Sequence, residues 1–258
     1  MLRNRIIPCL LLQEDGLVKT TRYKKSEYVG DPINAVKIFN EKEVDELVFL
    51  DIAASRHNQP PNFSLIKKIA SECFMPFCYG GGIKSMEDIR KILHIGAEKV
   101  AFNSVLFNNM NLIKTASKYF GCQSIVESID VKKNLFYKYR VYNHTTNKTT
   151  RIDPVRFSKT LEELGAGEIF LTSVDLDGTM SGFDIELIKS VSENVNIPVI
   201  ACGGAGRLKH IKNVFDYTKV NAVAAGSLFV FNGKHRAVLI NYPTYDEIEA
   251  FFKAPTTC

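Results

Sequence analysis

The sequence lacks the long apolar and basic segments that mark membrane proteins and nucleic-acid-binding proteins. No apolar run approaches the roughly 18 residues of a membrane span. The net charge is +5, but no block of five basic residues occurs, so nucleic-acid binding is unsupported and an anionic small substrate is favoured. An apolar run near the start spans only about seven residues and no cleavage site follows it, which favours a cytoplasmic protein without a membrane partner.

Cysteine and histidine are present but do not form metal-binding or disulfide patterns. The six cysteines are Cys9, Cys73, Cys78, Cys122, Cys202 and Cys258. None is spaced C-x-x-C, and several lie in apolar runs, where a thiol behaves as a small hydrophobic group. The five histidines are scattered. We therefore expect reduced buried thiols, histidines on surfaces or loops, no metal and no cofactor.

Short apolar runs alternate with longer amphipathic runs. The predicted strands span residues 6–12, 46–52, 75–79, 99–102, 124–130, 168–173, 197–202 and 222–225. The predicted helices span residues 32–43, 62–73, 85–94, 109–120, 154–164, 184–193, 208–215 and 245–252. Eight strand–helix units indicate an α/β fold, a single (β/α)8 TIM barrel over residues 1–258. An open doubly wound sheet is the alternative, but its G-x-G-x-x-G motif is missing after the first strand.

Two predicted loops are longer than the others. Residues 13–31 are polar and basic, whereas residues 131–150 alternate aromatic and polar side chains in the manner of a β-hairpin. Both loops follow strands, which in a (β/α)8 barrel places them on the face that carries the active site. Long loops on that face often act as lids.

The sequence repeats itself at an offset of about 120 residues. Residues 48–51 resemble 169–172, residues 76–83 resemble 198–205, and residues 103–107 resemble 226–229. The repeat predicts a two-fold barrel made of half-barrels at residues 1–122 and 123–258.

Each predicted half carries a glycine turn. The first is Gly80-Gly81-Gly82 and the second spans residues 203–206; each follows an apolar strand and opens a helix. A glycine turn lets a phosphate approach backbone N–H groups, and the next helix N-terminus adds partial positive charge. Two such sites predict a phosphorylated small-molecule substrate with a phosphate at each end.

Together these motifs resemble the HisF family, the cyclase subunit of imidazole glycerol phosphate synthase. The resemblance is carried by residues 5–7, 45–51, 80–83, 128–130, 171–179 and 203–206. It implies a two-fold symmetric barrel that binds a bis-phosphate substrate and receives ammonia from a glutaminase, HisH, docked at the opposite face. It also implies a lyase reaction of histidine biosynthesis, which forms imidazole glycerol phosphate and releases an aminoimidazole carboxamide ribotide.

The resemblance also implies roles for individual residues. The implied substrate and phosphate ligands are Lys19, Asp51, Gly82, Asn103, Ser104, Thr172, Asp177, Gly178, Gly204, Gly226 and Ser227. The implied ammonia gate is Arg5, Glu46, Lys99 and Glu168. A carboxylate repels phosphate, so Asp177 is expected to hold its turn. Ordinary salt bridges at strand starts are the other interpretation of the gate positions, and Glu98 beside them could meet a lysine of the partner.

The sequence departs from the family at the catalytic pair. The family uses two aspartates, at the ends of the first and fifth strands, as general acid and general base. The fifth-strand residue is Asp130, but Leu11 occupies the first-strand position, and a shift by one residue reaches only Leu12. Leucine cannot transfer a proton, and losing such a group typically removes a factor of about 10²–10⁴ in rate. Glu14 or Asp15 could swing in from the loop instead.

Three functions therefore stay open. The first is the cyclase, with Asp130 as the surviving acid–base residue and a HisH-like glutaminase as partner. The second is an altered paralogue that activates a glutaminase and passes ammonia to an amidotransferase modifying a lipopolysaccharide or other surface sugar, a branch that residues 28–35 resemble. The third is a HisA-type isomerase, which shares the barrel and phosphate sites but needs no ammonia gate.

Overall fold

The structure is a computed structural model that describes residues 4–220 and 222–253. The strands in chain order are β1 (Arg5–Gln13), β2 (Gly16–Lys19), β3 (Glu27–Gly30), β4 (Leu47–Asp51), β5 (Phe77–Gly80), β6 (Lys99–Phe102), β7 (Ile125–Lys133), β8 (Tyr139–Asn143), β9 (Lys148–Thr149), β10 (Glu168–Ser173), β11 (Val199–Cys202), β12 (Ala222–Ala225), β13 (Phe231–Asn232) and β14 (Ala237–Val238). Eight of them form a parallel barrel in the order β1-β4-β5-β6-β7-β10-β11-β12, and β12 pairs with β1 to close it.

Helices follow the barrel strands and cover the outside of the barrel. They are α1 (Pro32–Glu41), α2 (Phe63–Glu72), α3 (Met86–Ile95), α4 (Asn111–Phe120), α5 (Pro154–Glu163), α6 (Ile185–Ser192), α7 (Leu208–Tyr217), α8 (Ser227–Val230) and α9 (Tyr245–Lys253). Local sequence explains their starts: Asp31 and Asp153 cap α1 and α5 ahead of a proline, and Ser85 forms a capping box with Asp88.

The predicted (β/α)8 fold is confirmed, with small differences at the ends of the elements. The predicted hairpin over residues 131–150 is confirmed too, because β7 continues past the barrel and pairs antiparallel with β8, which pairs with β9. Residues 13–31, predicted as a long polar loop, contain regular structure. There the chain forms β2 and β3, which extend β1 as an antiparallel sheet. The half-barrel repeat and its boundary at residues 122 and 123 stay predictions.

Side-chain alternation along the strands divides the core into two layers. One set of buried apolar side chains packs between the barrel and its helices, and a smaller set fills the barrel interior. The interior set is Ile7, Cys9, Val48, Cys78, Ala101, Val126, Phe170, Ile200, Cys202, Ala222 and Ala224. Cysteines 9, 78 and 202 are buried free thiols as expected, whereas the free thiol of Cys73 is half-buried and that of Cys122 is exposed, contrary to the expectation; Cys258 lies outside the described residues. No helix in the described ranges has the length and apolar character needed to cross a bilayer.

One buried side chain interrupts the outer layer. Glu127 is 0% exposed, and neither of its carboxylate oxygens has a hydrogen-bond partner among the described residues. Val126 next to it faces the barrel interior, so Glu127 faces the helices. Burial raises the pKa of its carboxyl well above the usual range.

Candidate active site

A cavity opens where the barrel strands end at their carboxyl termini. It encloses about 1180 Å³ of empty space, including its open mouth. The predicted site residues that line it are Leu11, Lys19, Asp51, Gly82, Asn103, Ser104, Asp130, Thr172, Asp177, Gly178, Gly204, Gly226 and Ser227. The fold therefore brings these positions together from both halves of the chain, while their roles in binding and catalysis stay predictions.

The Asp130 side chain lies in the cavity at the end of the barrel part of β7 and is almost fully buried. The Tyr23 hydroxyl donates to its Oδ1 over 2.7 Å, and the Asn103 amide donates to its Oδ2 over 2.9 Å. The Nδ1 atom of His144 lies 3.3 Å from the same Oδ2. Asp130 is thus held by three polar groups from three separate segments, and a carboxylate so fixed is suited to proton transfer.

Two of these groups were not predicted. Tyr23 lies in the segment between β2 and β3, with a positive φ of 59°, and burial together with the Asp130 carboxylate raises the pKa of its phenol well above the usual value. His144 lies in the turn between β8 and β9. Each histidine is predicted to lie on a surface or in a loop. His144 does lie in a loop, but its side chain lines the cavity, and no sequence pattern indicates this.

The wall opposite Asp130 is apolar. Leu11 on β1 pairs in register with Leu50 on β4, and both side chains line the cavity above the apolar barrel interior. Leu12 is fully buried and belongs to the outer layer of the core, so it faces away from the cavity. Glu14 and Asp15 are exposed and are not among the residues that line the cavity. The structure therefore places no carboxylate at the end of β1 inside the cavity.

The first glycine turn lies beside two hydroxyl groups. Gly82 has a positive φ of 73°, and a Cβ there would lie 2.8 Å from the Gln59 carbonyl oxygen, so only glycine fits. Its N–H donates to the Ser55 Oγ over 3.2 Å, and the Ser104 hydroxyl donates to the same Oγ over 3.0 Å. The Gly82 N–H and the Ser104 hydroxyl are donors of the kind that bind a phosphate. Ser55 is not among the predicted site residues.

Across the cavity, Gly226 after β12 lies beside the ammonium group of Lys19, and the neighbouring strand β11 leads into the second glycine turn. Lys19 is buried and donates to the Cys9 carbonyl oxygen over 2.6 Å, and a Cβ at Gly226 would lie 1.9 Å from its Nζ. Gly178 has a positive φ of 70° and approaches the Thr20 carbonyl so closely that a Cβ would lie 2.1 Å from that oxygen. A positive charge and closely approaching glycine backbone therefore share this end of the cavity.

Two further carboxylates line the cavity. Burial raises the pKa of Asp177 to about 6; Lys19 opposes this rise and Asp130 adds to it. Burial also raises the pKa of Asp51, although its Oδ1 accepts hydrogen bonds from the backbone of Ala53 at 3.0 Å and Ala54 at 2.9 Å. The backbone of Asp177 accepts from the Arg22 N–H over 2.9 Å, so this residue also ties the loop after β2 to the site. In the described parts of the chain, no three His, Cys, Asp or Glu side chains are placed to hold a metal ion.

Four charged side chains form a closed ring at the other end of the barrel. Arg5 contacts Glu46 at 2.6 Å and also contacts Glu168. Lys99 contacts Glu46 at 3.0 Å and Glu168 at 2.9 Å. Burial alone would lower the pKa of Lys99, but the two carboxylates more than offset it and raise the pKa. Each charge in the ring has two partners of opposite sign, and the ring as a whole is neutral.

These features define a class: a (β/α)8 barrel with a polar cavity at its carboxyl-terminal face and two glycine turns across that cavity. The family described as histidine biosynthesis protein matches residues 5–236. The chain is 52% identical over 249 residues to the Pseudomonas aeruginosa "Putative imidazole glycerol phosphate synthase subunit hisF2", covering 96% of this chain and 99% of that protein.

Two other relatives show the same relationship. A Leptospira borgpetersenii "Putative imidazole glycerol phosphate synthase subunit HisF" is 51% identical over 253 residues, which is 98% of this chain and 100% of that protein. A Hydrogenobaculum "Imidazole glycerol phosphate synthase subunit HisF" is 44% identical over 231 residues, which is 90% of this chain and 92% of that protein. The chain belongs to the HisF family of histidine biosynthesis proteins.

Proposed function

We propose that this chain is the barrel subunit of an ammonia-using lyase complex, and that it cyclises a bis-phosphorylated substrate of the imidazole glycerol phosphate synthase type. The observation that carries the proposal is the placement of Asp130 between two opposed glycine turns in one cavity. In the barrel order, β5 and β6 lie across from β11 and β12, so the two turns are on opposite sides. A substrate with a phosphate at each end would span the cavity and pass over Asp130.

The barrel interior supports a route for ammonia. The charge ring lies at one end of the barrel, the cavity lies at the other, and apolar side chains line the interior between them. Ammonia is small and neutral, so an apolar passage costs it far less than it costs the ammonium ion. We propose that a HisH-like glutaminase docks at the ring and that Arg5, Glu46, Lys99 and Glu168 gate this route.

Asp130 is the residue best placed for chemistry on the substrate. Adding ammonia to an electrophilic carbon requires a proton donor for the oxygen that gains charge and a proton acceptor for the nitrogen. Asp130 is buried in the cavity and its two oxygens are fixed by the Tyr23 and Asn103 contacts. Lys19 and the two glycine turns would hold the phosphates, and Asp51, Thr172 and Asp177 would complete the walls.

The test is a turnover assay with the family's phosphoribosyl formimino substrate and ammonium chloride as the nitrogen source. We expect imidazole glycerol phosphate as a product of the wild type, and a loss of about 10²–10⁴ in kcat for Asp130→Asn. The exposed Asp216→Asn variant is the matched control for replacing an aspartate. Wild-type protein that forms no more product than Asp130→Asn would refute the cyclase proposal.

A second assay tests the ammonia route. Ammonia released by a glutaminase would enter at the charge ring, whereas ammonia from added ammonium chloride can enter at the cavity mouth. With a HisH-like glutaminase present, we expect Arg5→Met to change glutamine-dependent turnover and to leave ammonium-dependent turnover unchanged. Equal effects on both rates would argue that the ring is only a structural set of salt bridges.

The apolar wall at Leu11 favours a second candidate function. Without a carboxylate on β1, the chain would serve as a paralogue that activates a glutaminase and passes its ammonia to an amidotransferase acting on a surface sugar. This candidate predicts glutaminase activation without any imidazole glycerol phosphate. It fails if the gene restores histidine-independent growth to a strain that lacks an authentic HisF.

A further inference from the structure

His144 extends into the cavity from outside the barrel. Its Nδ1 lies 3.3 Å from Asp130 Oδ2, and its side chain is only 15% exposed. It belongs to the turn between β8 and β9, a segment that the barrel itself does not need. The β8–β9 turn therefore brings an imidazole to the carboxylate on which the proposed chemistry depends.

The hairpin fixes this imidazole in place. β8 pairs antiparallel with the continuation of β7, the strand that carries Asp130. In the turn, Asn143 Oδ1 accepts hydrogen bonds from the Thr145 backbone at 3.0 Å and the Thr145 hydroxyl at 2.7 Å. Tyr142 packs edge-on against Tyr23, with ring centroids 6.2 Å apart. The residues on either side of His144 are thus held in place, which limits the positions that its imidazole can take.

Among the groups that contact Asp130, the His144 imidazole is the one whose ring nitrogens can both release and take up a proton. The Asn103 amide does not titrate, and burial keeps the Tyr23 phenol protonated. Imidazole is the side chain whose ordinary protonation change falls between pH 5 and 8. The other titratable or charged side chains that line the cavity are Cys9, Lys19, Asp51, Arg56, Asp177 and Cys202.

We propose that His144 supplies the second proton-transferring group of the site, in place of the carboxylate that is missing at Leu11. Asp130 and His144 then act as an acid–base pair built on adjacent atoms, rather than as two aspartates on opposite strands. This inference rests on the proposed cyclase function.

The pair can assist the addition of ammonia to a carbonyl carbon of the substrate. The ammonia lone pair forms the C–N bond while the C=O π electrons move to the oxygen, and that oxygen takes a proton from the His144 imidazolium. The positively charged nitrogen then gives one proton to the Asp130 carboxylate. The product is a carbon bearing a hydroxyl and an amino group. The proton passes from Asp130 to His144 across their 3.3 Å contact, which returns both groups to their starting state.

The experiment compares His144→Asn with a double variant that also carries Leu11→Asp. Both are assayed with the phosphoribosyl formimino substrate and ammonium chloride across about pH 5.5 to 8.5, around the range in which histidines titrate. We expect His144→Asn to lower kcat by about 10²–10⁴ with little change in KM, and to change the shape of the pH profile of kcat. The added aspartate in the double variant is expected to recover part of the loss.

Two controls separate chemistry from folding. His94→Asn, at an exposed histidine in the last turn of α3, reports the general effect of this substitution. Thermal unfolding and binding of inorganic phosphate show whether each variant keeps its fold and its glycine turns.

The outcomes are distinct. An active wild type with unchanged kcat and pH profile in His144→Asn overturns the acid–base pair and leaves the cyclase proposal standing. A loss that keeps the wild-type pH profile and that Leu11→Asp does not recover assigns His144 a positioning role and also overturns the pair. A wild type without product overturns the cyclase proposal and the role of His144 with it.

Discussion

Asp177 places a costly negative charge in the cavity. Burial raises the pKa of its carboxyl from the ordinary value of 3.8 to about 6. The folded protein therefore holds this proton more tightly than the unfolded chain does, and the free energy of unfolding falls as pH rises from about 3.8 to about 6. The difference between the two pKa values corresponds to at most about 3 kcal/mol.

Replacing Asp177 with asparagine removes the ionisable group and keeps an oxygen that can accept the long contact from the Thr20 hydroxyl. We expect Asp177→Asn and the wild type to have similar stability near pH 4, where Asp177 is largely protonated when folded. At pH 7 we expect the variant to be more stable by up to about 3 kcal/mol. Denaturant unfolding at a series of pH values, followed by circular dichroism, measures this difference.

The shape of the pH dependence decides the outcome. The exposed Asp216→Asn variant corrects for the general effect of removing a carboxylate. If the stability difference between Asp177→Asn and the wild type were the same at pH 4 and pH 7, ionisation of Asp177 would not be its cause. A variant less stable than the wild type at every pH would mean that attraction between Asp177 and Lys19 outweighs the cost of burying the carboxylate, and it would refute the prediction.

Three further predictions concern other parts of the barrel. Glu127→Met is expected to raise the free energy of unfolding at pH 7 by about 1–3 kcal/mol, because it removes a buried carboxyl that has no hydrogen-bond partner among the described residues. Denaturant unfolding should show that the wild type, and not the variant, loses stability as pH rises above about 4.5. Glu168→Gln is expected to destabilise the barrel by about 1–3 kcal/mol, below the cost for a fully buried pair because Arg5 is 28% exposed; thermal and denaturant unfolding test this. Ser55→Ala is expected to raise the KM of a phosphorylated substrate about tenfold with little change in kcat, whereas Ser71→Ala is expected to change neither value.

Local sequence was sufficient for the barrel and its glycine turns, whereas the other site residues came from the resemblance to the HisF family. Strand and helix periodicity follow from burial on one face or both, and strand ends in a (β/α)8 barrel meet at one face, so a residue at a strand end can be placed without knowing its neighbours. Gly82 and Asp130 are residues of this kind. The charge ring is another case, since residues at strand starts share the opposite face.

The missed residues lie where side-chain position depends on pairing between distant segments. His144 reaches Asp130 only because β8 pairs with the extended β7. Tyr23 reaches it only because the pairing of β2 with β3 folds the segment between them over the cavity. Neither residue has a local motif. Ser55 was missed for the same reason, because it follows β4 without a glycine or a strand end to mark it.

Leucine stands at position 11, where the resemblance to the HisF family implies an aspartate, and the surrounding structure suits it. Leu11 and Leu50 extend the apolar barrel interior upward, so an aspartate at position 11 would bring a charge next to apolar side chains. A site that keeps Leu11 gains stability there and must obtain its second proton-transferring group from another element. The β8–β9 turn lies outside the barrel core, and a histidine can be placed there without disturbing the packing of the strands. The glycine turns remain opposed across the cavity, while the proposed chemistry moves to one side of it, around Asp130.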